Sequence, residues 1–139
     1  MSAIHAYLTF NGNCREAMLF YQKCLGGKLV FQTIGKSPLS DELPREMKDT
    51  ILHATLIKDQ LVIMATDMVS SNGLTKGNSI SLLLHCSSEK EIKDRYAKLS
   101  QNGLQNHPLE KTFWGSLFGD ITDQFGNQWL LQYPLQEKE

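Results

Sequence analysis

The chain has 139 residues, of which 41% are hydrophobic, so it is long enough to bury an ordinary hydrophobic core. Fourteen basic against fifteen acidic residues give a formal net charge of −1, which disfavours a nucleic-acid partner because such proteins need a cationic surface. The longest mostly apolar run, 61–65, is far shorter than the roughly 20 residues that span a bilayer. The N-terminus does not show the basic segment followed by an apolar one that is typical of a signal peptide. We therefore expect a cytoplasmic protein that binds neither membranes nor nucleic acid.

The first element, over residues 4–10, has the pattern of a strand with one face on a core. Apolar side chains alternate with polar or amphipathic ones, with Ile4, Ala6, Leu8 and Phe10 on one face and His5, Tyr7 and Thr9 on the other. A period of two places successive side chains on opposite faces of a sheet. We expect the first set to pack on helices and the second set to point into the concave side of the sheet.

The elements that follow complete a βαβββ unit. Turn residues 11–13 supply an N-cap, after which apolar residues recur at helical spacing until Gly26 and Gly27. The patterns predict a helix over 14–25, a strand near 28–35, a polar stretch over 36–49, and two strands over 50–58 and 60–66. The polar stretch contains Pro38 and Pro44. One interpretation is a lid over an opening, formed by a mobile loop or by a one-turn helix. The other is a solvated surface loop.

The same order of elements repeats after a linker rich in Gly, Ser and Asn at 70–78. The patterns predict a strand over 79–85, a helix that begins at Ser87 or Ser88 and ends at Asn102–Gly103, and strands near 104–109, 115–122 and 127–133. The two copies can be placed in register, because Ile4 corresponds to Ile80 and Tyr21 to Tyr96.

A lone βαβββ unit exposes one sheet face and two edges, and pairing two copies buries them. We therefore predict a single α+β domain over 1–139, made of module one (1–69), the linker (70–78) and module two (79–139).

The three cysteines, Cys14, Cys24 and Cys86, are odd in number and lack the spacing of a metal site. We interpret them as reduced thiols. The alternative is a nucleophilic Cys14, because this residue lies in the first turn of the predicted helix, where a thiol pKa can be lowered.

Several motifs resemble those of one protein family. Segment 7–14 reads YLTFNGNC, followed by Glu16-Ala17 and Phe20-Tyr21; LHATL stands at 52–56, Asp67 after the fourth strand, TFWG at 112–115, DQFG at 123–126, and Trp129 in the last strand. In this combination the chain resembles the PhnB-like branch of the glyoxalase/bleomycin resistance/dioxygenase superfamily, some of whose members carry the label 3-demethylubiquinone-9 3-methyltransferase. The resemblance implies the vicinal oxygen chelate fold, in which paired βαβββ modules shape cup-like barrels, commonly in a homodimer.

The resemblance also locates the positions of a metal site. Metal-dependent members place His, Gln or Glu at one inward position on each of the first, fourth, fifth and eighth strands, and here those positions hold His5, Met64, Ser79 and Leu130. Only His5 is a good ligand, whereas catalytic sites commonly need three protein ligands. We therefore expect no metal and no other cofactor, with a rearranged site at His53 and Asp67 as the alternative.

Candidate ligand-binding residues follow from the faces of the predicted strands. His53 faces the cavity if Leu52, Ala54 and Leu56 face the core. Trp114 can either form an aromatic wall for a planar or apolar ligand or pack in the core. In the last strand, the glutamines can point into the cup while Trp129 packs in the core. The predicted ligand-binding set is His5, Tyr7, His53, Met64, Ser79, Phe113, Trp114 and Gln132; no catalytic residue is assigned.

Two functional hypotheses remain open at this stage. The first is a metal-independent module that holds a small molecule in a cup of aromatic and mixed polar side chains. The second is a metal-dependent lyase or dioxygenase-type enzyme that uses His5 or His53, since a cavity histidine can exchange protons near neutral pH. A methyltransferase is not expected, because no glycine-rich strand-to-helix turn is available for S-adenosylmethionine.

Overall fold

The computed structural model describes residues 1–135 and contains two compact units, Met1–Thr75 and a second unit that begins at Lys76. The boundary between them lies inside the linker predicted at 70–78. Each unit holds one four-stranded sheet and one long helix in the order βαβββ. The predicted α+β class, with two βαβββ modules, is confirmed.

The first unit begins with a strand that pairs parallel to the last strand of the same unit. Its elements are β1 (Ala6–Thr9), α1 (Cys14–Leu25), β2 (Lys28–Thr33), β3 (Ile51–Lys58) and β4 (Leu61–Thr66). The sheet order is β1-β4-β3-β2; β1 is parallel to β4, and the other pairs are antiparallel.

One face of this sheet is covered by α1. The buried stripe of the helix recurs at helical spacing and consists of Cys14, Ala17, Met18, Tyr21, Cys24 and Leu25. It packs on the alternate residues of the two central strands, Ala54, Leu56, Ile63 and Ala65, which are also buried. Burial of this apolar stripe is the main stabilising term for the unit.

The start of α1 is capped from a distant residue rather than from the turn that precedes it. The backbone N–H groups of Gly12 and Cys14 donate to Oδ1 of Asp67, at 2.9 and 3.0 Å, and Ile51 N donates to Oδ2 at 3.4 Å. Within residues 1–135, the N-cap position lies at Asn13, inside the turn predicted to supply it, but the Asn13 side chain makes no capping hydrogen bond. Asp67 is a structural acceptor that ties α1 to β3 and β4.

The second unit repeats this arrangement. Its elements are β5 (Leu82–His85), α2 (Glu89–Leu99), β6 (Leu104–Lys111), β7 (Ser116–Thr122) and β8 (Gln128–Pro134), with sheet order β5-β8-β7-β6. Ser88 caps α2 by accepting a hydrogen bond from Glu91 N at 3.0 Å, as the sequence predicts. Trp129 is buried as predicted, and its indole N–H donates to Asp123 Oδ2 at 2.8 Å.

The first strands of both units are shorter than their sequence patterns predict. Pairing begins at Ala6, opposite Ile63, and at Leu82, opposite Trp129, so Ile4 and Ile80 precede the strands and are 99% and 79% exposed. Alternation alone does not show where a ladder begins, because a residue acquires a buried face only where a neighbouring strand and a helix cover it.

The segment between β2 and β3 forms two short 3-10 turns, at Ile34–Lys36 and Arg45–Met47. The one-turn helix considered for 36–49 is therefore present. Ile34 and Ser37 are buried and anchor the start of the segment, and Ser37 Oγ donates to Ile34 O at 2.7 Å. Among residues 1–135, no helix is both long and apolar enough to cross a membrane.

Candidate functional site

Each sheet has a face opposite its helix, here called the open face. In the first unit, Ala54 and Leu56 lie under α1, so the alternate residues of β3, His53 and Thr55, point to the open face. Register places Met64 beside Thr55 on one side and beside Tyr7 on the other.

The open face of the first unit thus brings together three of the predicted residues, Tyr7, His53 and Met64. The rings of Tyr7 and His53 have centroids 6.0 Å apart, and His53 Nε2 lies 3.1 Å from Thr55 Oγ1. The partly buried His53 ring is therefore held by a neighbouring hydroxyl and an aromatic ring.

The open face of the second unit contains a cavity of about 410 Å³, here called the aromatic pocket. It is lined by His107, Pro108, the segment 110–114, Phe118, Asp120 and Leu130. The volume lies within the roughly 300–1,000 Å³ that is typical of small-molecule sites.

Three aromatic rings form one wall of the aromatic pocket. The centroids of Phe113 and Trp114 are 5.0 Å apart with the rings nearly perpendicular, and Trp114 and Phe118 are 6.2 Å apart. Phe113 is 98% and Trp114 55% exposed, although large aromatic side chains usually bury most of their surface. The sequence places both residues in the short turn before β7, where the backbone bends around Gly115 at a positive φ of 88°.

Polar side chains at this pocket form a hydrogen-bonded cluster. His107 Nδ1 is 3.3 Å from Asp120 Oδ2, and Asn106 Nδ2 donates to Asp120 Oδ1 at 3.4 Å and to Thr122 Oγ1 at 2.9 Å. From the other side of the sheet, Tyr96 of α2 donates its hydroxyl to the carbonyl of His107 at 2.8 Å. Burial, together with the charge of Asp120, raises the pKa of Tyr96, which keeps this hydroxyl in its donor form.

Comparison with known proteins decides the family. The model of the Glyoxalase/Bleomycin resistance protein/Dioxygenase superfamily matches residues 3–131. The chain belongs to this superfamily.

Relatives of known sequence or structure match almost the whole chain. Protein YjdN of Escherichia coli strain K12 is 32% identical over 140 residues, which covers 94% of this chain and 95% of YjdN. The crystal structure of protein PA1353 from Pseudomonas aeruginosa is similar with a TM-score of 0.86 and 34% identity, over 98% of this chain and 100% of that one.

A third relative carries the label that the sequence motifs suggest. It is the PhnB protein from Bacillus cereus, described as a putative 3-demethylubiquinone-9 3-methyltransferase, with a TM-score of 0.70 and 28% identity over 95% of this chain and 99% of that one. The resemblance to PhnB-like proteins is confirmed.

The side chains at the metal positions of the superfamily do not fit a divalent ion. Strands that share an ion must present ligands side by side, yet the register partner of Met64 is Tyr7, not His5, and the partner of Leu130 is Leu83. None of the four side chains that are in register here, Tyr7, Met64, Leu83 and Leu130, is a usual ligand for a divalent ion. Within residues 1–135, no group of three or more His, Cys, Asp or Glu side chains could hold a metal ion.

His5 and Ser79 lie outside the sheets. Both are exposed and precede the first residues of β1 and β5. The assignment of inward-facing strand positions to them was wrong, because strand pairing begins only at Ala6 and Leu82. Gln132 lies on the open face of the second unit, with Phe118 and His85 as its register partners. Phe113 and Trp114 line the aromatic pocket.

Sequence reasoning missed the polar side of the aromatic pocket, namely His107, Glu110 and Asp120, together with Phe118. The predicted strand over 104–109 contains Pro108 and shows no alternation, and two register irregularities interrupt its pairing with β7. Because these bulges change which face each side chain points to, no period in the sequence marks the cluster.

A second cavity, of about 570 Å³, lies in the first unit, between the start of α1 and the end of the 36–49 segment. Its acidic lining consists of Glu16, Glu46, Asp49 and Asp67. The carboxylate of Asp67 already accepts three backbone hydrogen bonds, and the 36–49 segment contributes Glu46 and Asp49 to this cavity.

The thiols are shielded rather than activated. Burial, with a smaller contribution from the Asp67 charge, raises the pKa of Cys14 to about 12, and burial raises that of Cys86 to about 11. Cys14 is also fully buried, and both observations argue against the nucleophilic interpretation of this residue.

Proposed function

We propose that this chain binds a small planar or apolar organic molecule in a cup-shaped cavity that includes the aromatic pocket, without the help of a divalent metal. The observation that carries the proposal is the pocket itself, where three aromatic rings stand opposite a few converging polar groups. Small-molecule sites are commonly built in this way, with an apolar wall for affinity and few polar groups for orientation.

Exposed aromatic surface supports the proposal. Burial of a large apolar side chain contributes roughly 1.5–3 kcal/mol of favourable free energy. Phe113 does not obtain this contribution from packing in the second unit, because its side chain is 98% exposed within the described structure. A ligand that covers the rings of Phe113 and Trp114 recovers that free energy on binding.

The alternative is a metal-dependent lyase or dioxygenase-type enzyme of the same superfamily that uses His5 or His53. Its support is weaker, because His5 lies outside β1 and the residues at the metal positions are not ligands. His53 lies on the open face alongside Tyr7 and Met64, where its ring can form a hydrogen bond with a ligand. The methyltransferase description of the Bacillus cereus protein finds no support in this chain, for want of a glycine-rich turn.

We further propose that the protein works as a cytoplasmic homodimer. Each sheet has two edge strands, β1 and β2 in the first unit and β5 and β6 in the second. Unpaired edges favour association, and apolar residues such as Ile4, Leu83 and Leu104 are exposed on or beside them. A second copy of the chain is the partner that this arrangement favours.

The binding proposal is tested by nuclear magnetic resonance on the two tryptophan side chains, Trp114 and Trp129. A panel of fragments that includes indole, 2-naphthol and cyclohexanol is titrated into the protein, and the two indole N–H resonances are followed. We expect aromatic fragments to shift the Trp114 resonance and to leave that of the buried Trp129 in place. Equal shifts of both resonances, or of neither, would contradict the proposal.

A further inference from the structure

We propose that His107 is the polar anchor of the aromatic pocket and accepts a hydrogen bond from a hydroxyl or N–H group on the ring of the ligand. This inference rests on the proposed function and names the chemical class of the ligand: a planar ring that carries a hydrogen-bond donor. It depends on how the chain aims and orients one imidazole.

A β-bulge aims His107 into the pocket. Gln105 pairs with Ile121 and lies on the helix side of the sheet, where its amide donates to Ser100 at the end of α2 at 3.1 Å. In a regular strand His107 would share that face. The extra residue, Asn106, shifts the register so that His107 pairs with Asp120 on the open face.

The hydroxyl of Tyr96 holds the bulge in place from the helix side. It donates to the carbonyl of His107 at 2.8 Å. The ring of Tyr96 reaches this position because residue 119 is a glycine: a Cβ built there would lie 2.7 Å from the Tyr96 ring and 2.8 Å from Leu109. Tyr96 is thus a positioning residue that acts on the pocket through the backbone of His107.

Asp120 orients the imidazole. An ionised carboxylate only accepts hydrogen bonds, so the nitrogen that faces it, Nδ1, carries the proton in the neutral ring. Nε2 then carries the lone pair and can accept a hydrogen bond. Next to three aromatic rings, such an acceptor selects a flat molecule with an O–H or N–H at its edge.

The test compares two probes that share the naphthalene ring, 2-naphthol and 2-methoxynaphthalene, in which the donor hydrogen of the hydroxyl is replaced by a methyl group, with the indole resonance of Trp114 as the readout. A single net hydrogen bond is worth roughly 0.5–1.5 kcal/mol, so we expect 2-naphthol to bind the wild-type protein roughly two- to tenfold more tightly. In His107→Leu this preference should vanish while both probes still bind. The His107 side chain is 75% exposed, so this variant is expected to fold.

Two further variants test how the anchor is held. Asp120→Asn should lower the share of imidazole protonated at Nδ1, measured from the ¹⁵N chemical shifts of the ring in the ligand-free protein, and should reduce the preference for 2-naphthol. Tyr96→Phe should also reduce it, whereas Tyr21→Phe, the corresponding change in the first unit, should leave the preference and the ¹⁵N shifts unchanged.

The outcomes separate the two proposals. Equal affinity for the two probes, or a preference that survives in His107→Leu, would overturn the anchor and leave the pocket function intact. Binding of neither probe would overturn both. A Tyr96→Phe variant that loses stability yet keeps the full preference would show that Tyr96 has only a structural role.

Discussion

Trp114 and Trp129 show how the same residue type serves two purposes in one unit. Trp114 stands in a turn with its ring against Phe113 and Phe118 and half its surface in water. Trp129 is buried under α2 and donates its indole N–H to Asp123. The first side chain offers surface to a ligand, whereas the second contributes to stability.

We predict that Trp114→Phe and Trp129→Phe have opposite effects on binding and stability. Trp114→Phe should change the free energy of unfolding by less than about 0.5 kcal/mol, as is usual for surface positions, and should weaken the binding of 2-naphthol. Trp129→Phe removes the hydrogen bond that the buried indole N–H donates to Asp123 and should cost about 1–3 kcal/mol, with binding retained in the folded protein. Urea unfolding and the indole titration measure the two effects; a large stability loss in Trp114→Phe would place this ring in the core instead.

A second prediction at this scale concerns the thiols. Because burial raises the pKa of Cys14 to about 12 and that of Cys86 to about 11, the thiolate, which is the reactive form, is scarce at pH 8 in the folded protein. We expect Ellman's reagent to react with these cysteines only as the protein unfolds, so that the labelling rate follows the urea transition. Labelling of either residue in the native state at the rate of a free cysteine would contradict this prediction.

At the scale of elements, the two helices start in different ways. Ser88 caps α2 from the adjacent position, but α1 depends on Asp67, which is 53 residues away from Cys14 in sequence. A carboxylate at a helix N-terminus also interacts favourably with the helix dipole. Asp67 thus links helix formation in the first unit to the formation of its sheet.

We predict that Asp67→Ala lowers the free energy of unfolding by about 1–3 kcal/mol, since it leaves orphan N–H groups at the start of α1 and at Ile51. Asn13→Ala is the matched control and should cost less than about 0.5 kcal/mol, because within residues 1–135 the Asn13 side chain makes no capping bond. Urea unfolding monitored by circular dichroism measures both. The reverse order of costs would restore Asn13 as the cap.

At the scale of the whole molecule, the donor set leads to a prediction about metals. Tyr7, Met64, Leu83 and Leu130 occupy the paired strand positions, and within residues 1–135 no group of three or more His, Cys, Asp or Glu side chains could hold a metal ion. A ligand stabilises a protein only by binding its native state more tightly. We expect the purified protein to hold far less than one equivalent of metal, and Zn²⁺, Mn²⁺ or Ni²⁺ to leave its Tm unchanged; a stoichiometric, stabilising ion would revive the metalloenzyme alternative.

The oligomeric state is the second prediction at this scale. Multi-angle light scattering at micromolar concentration should give about twice the chain mass of 15.7 kDa. Ile80→Asp adds a charge at an exposed position beside the edge strand β5 and should weaken the dimer, while Lys90→Asp, at an exposed position of α2, serves as a control. A monomeric wild-type protein would refute the proposed dimer.

The sequence by itself determined the order of the elements, the α+β class and the family. The apolar periods of two and 3.6 residues indicate which faces are buried, and the unit of four strands and one helix occurs twice in the sequence. The core positions of α1, the cap of α2 and the burial of Trp129 follow from these local patterns, and so does the placement of His53 and Met64 on the face opposite the helix.

Only the tertiary structure decided where the ladders begin and which polar groups meet. His5 and Ser79 fell outside the strands because pairing starts at Ala6 and Leu82. The cluster of His107 and Asp120 depends on a bulge in β6 and on a tyrosine from the helix behind it. A bulge reverses the faces of a strand without leaving a period in the sequence, and a hydrogen bond across a sheet depends on register, which local patterns do not encode.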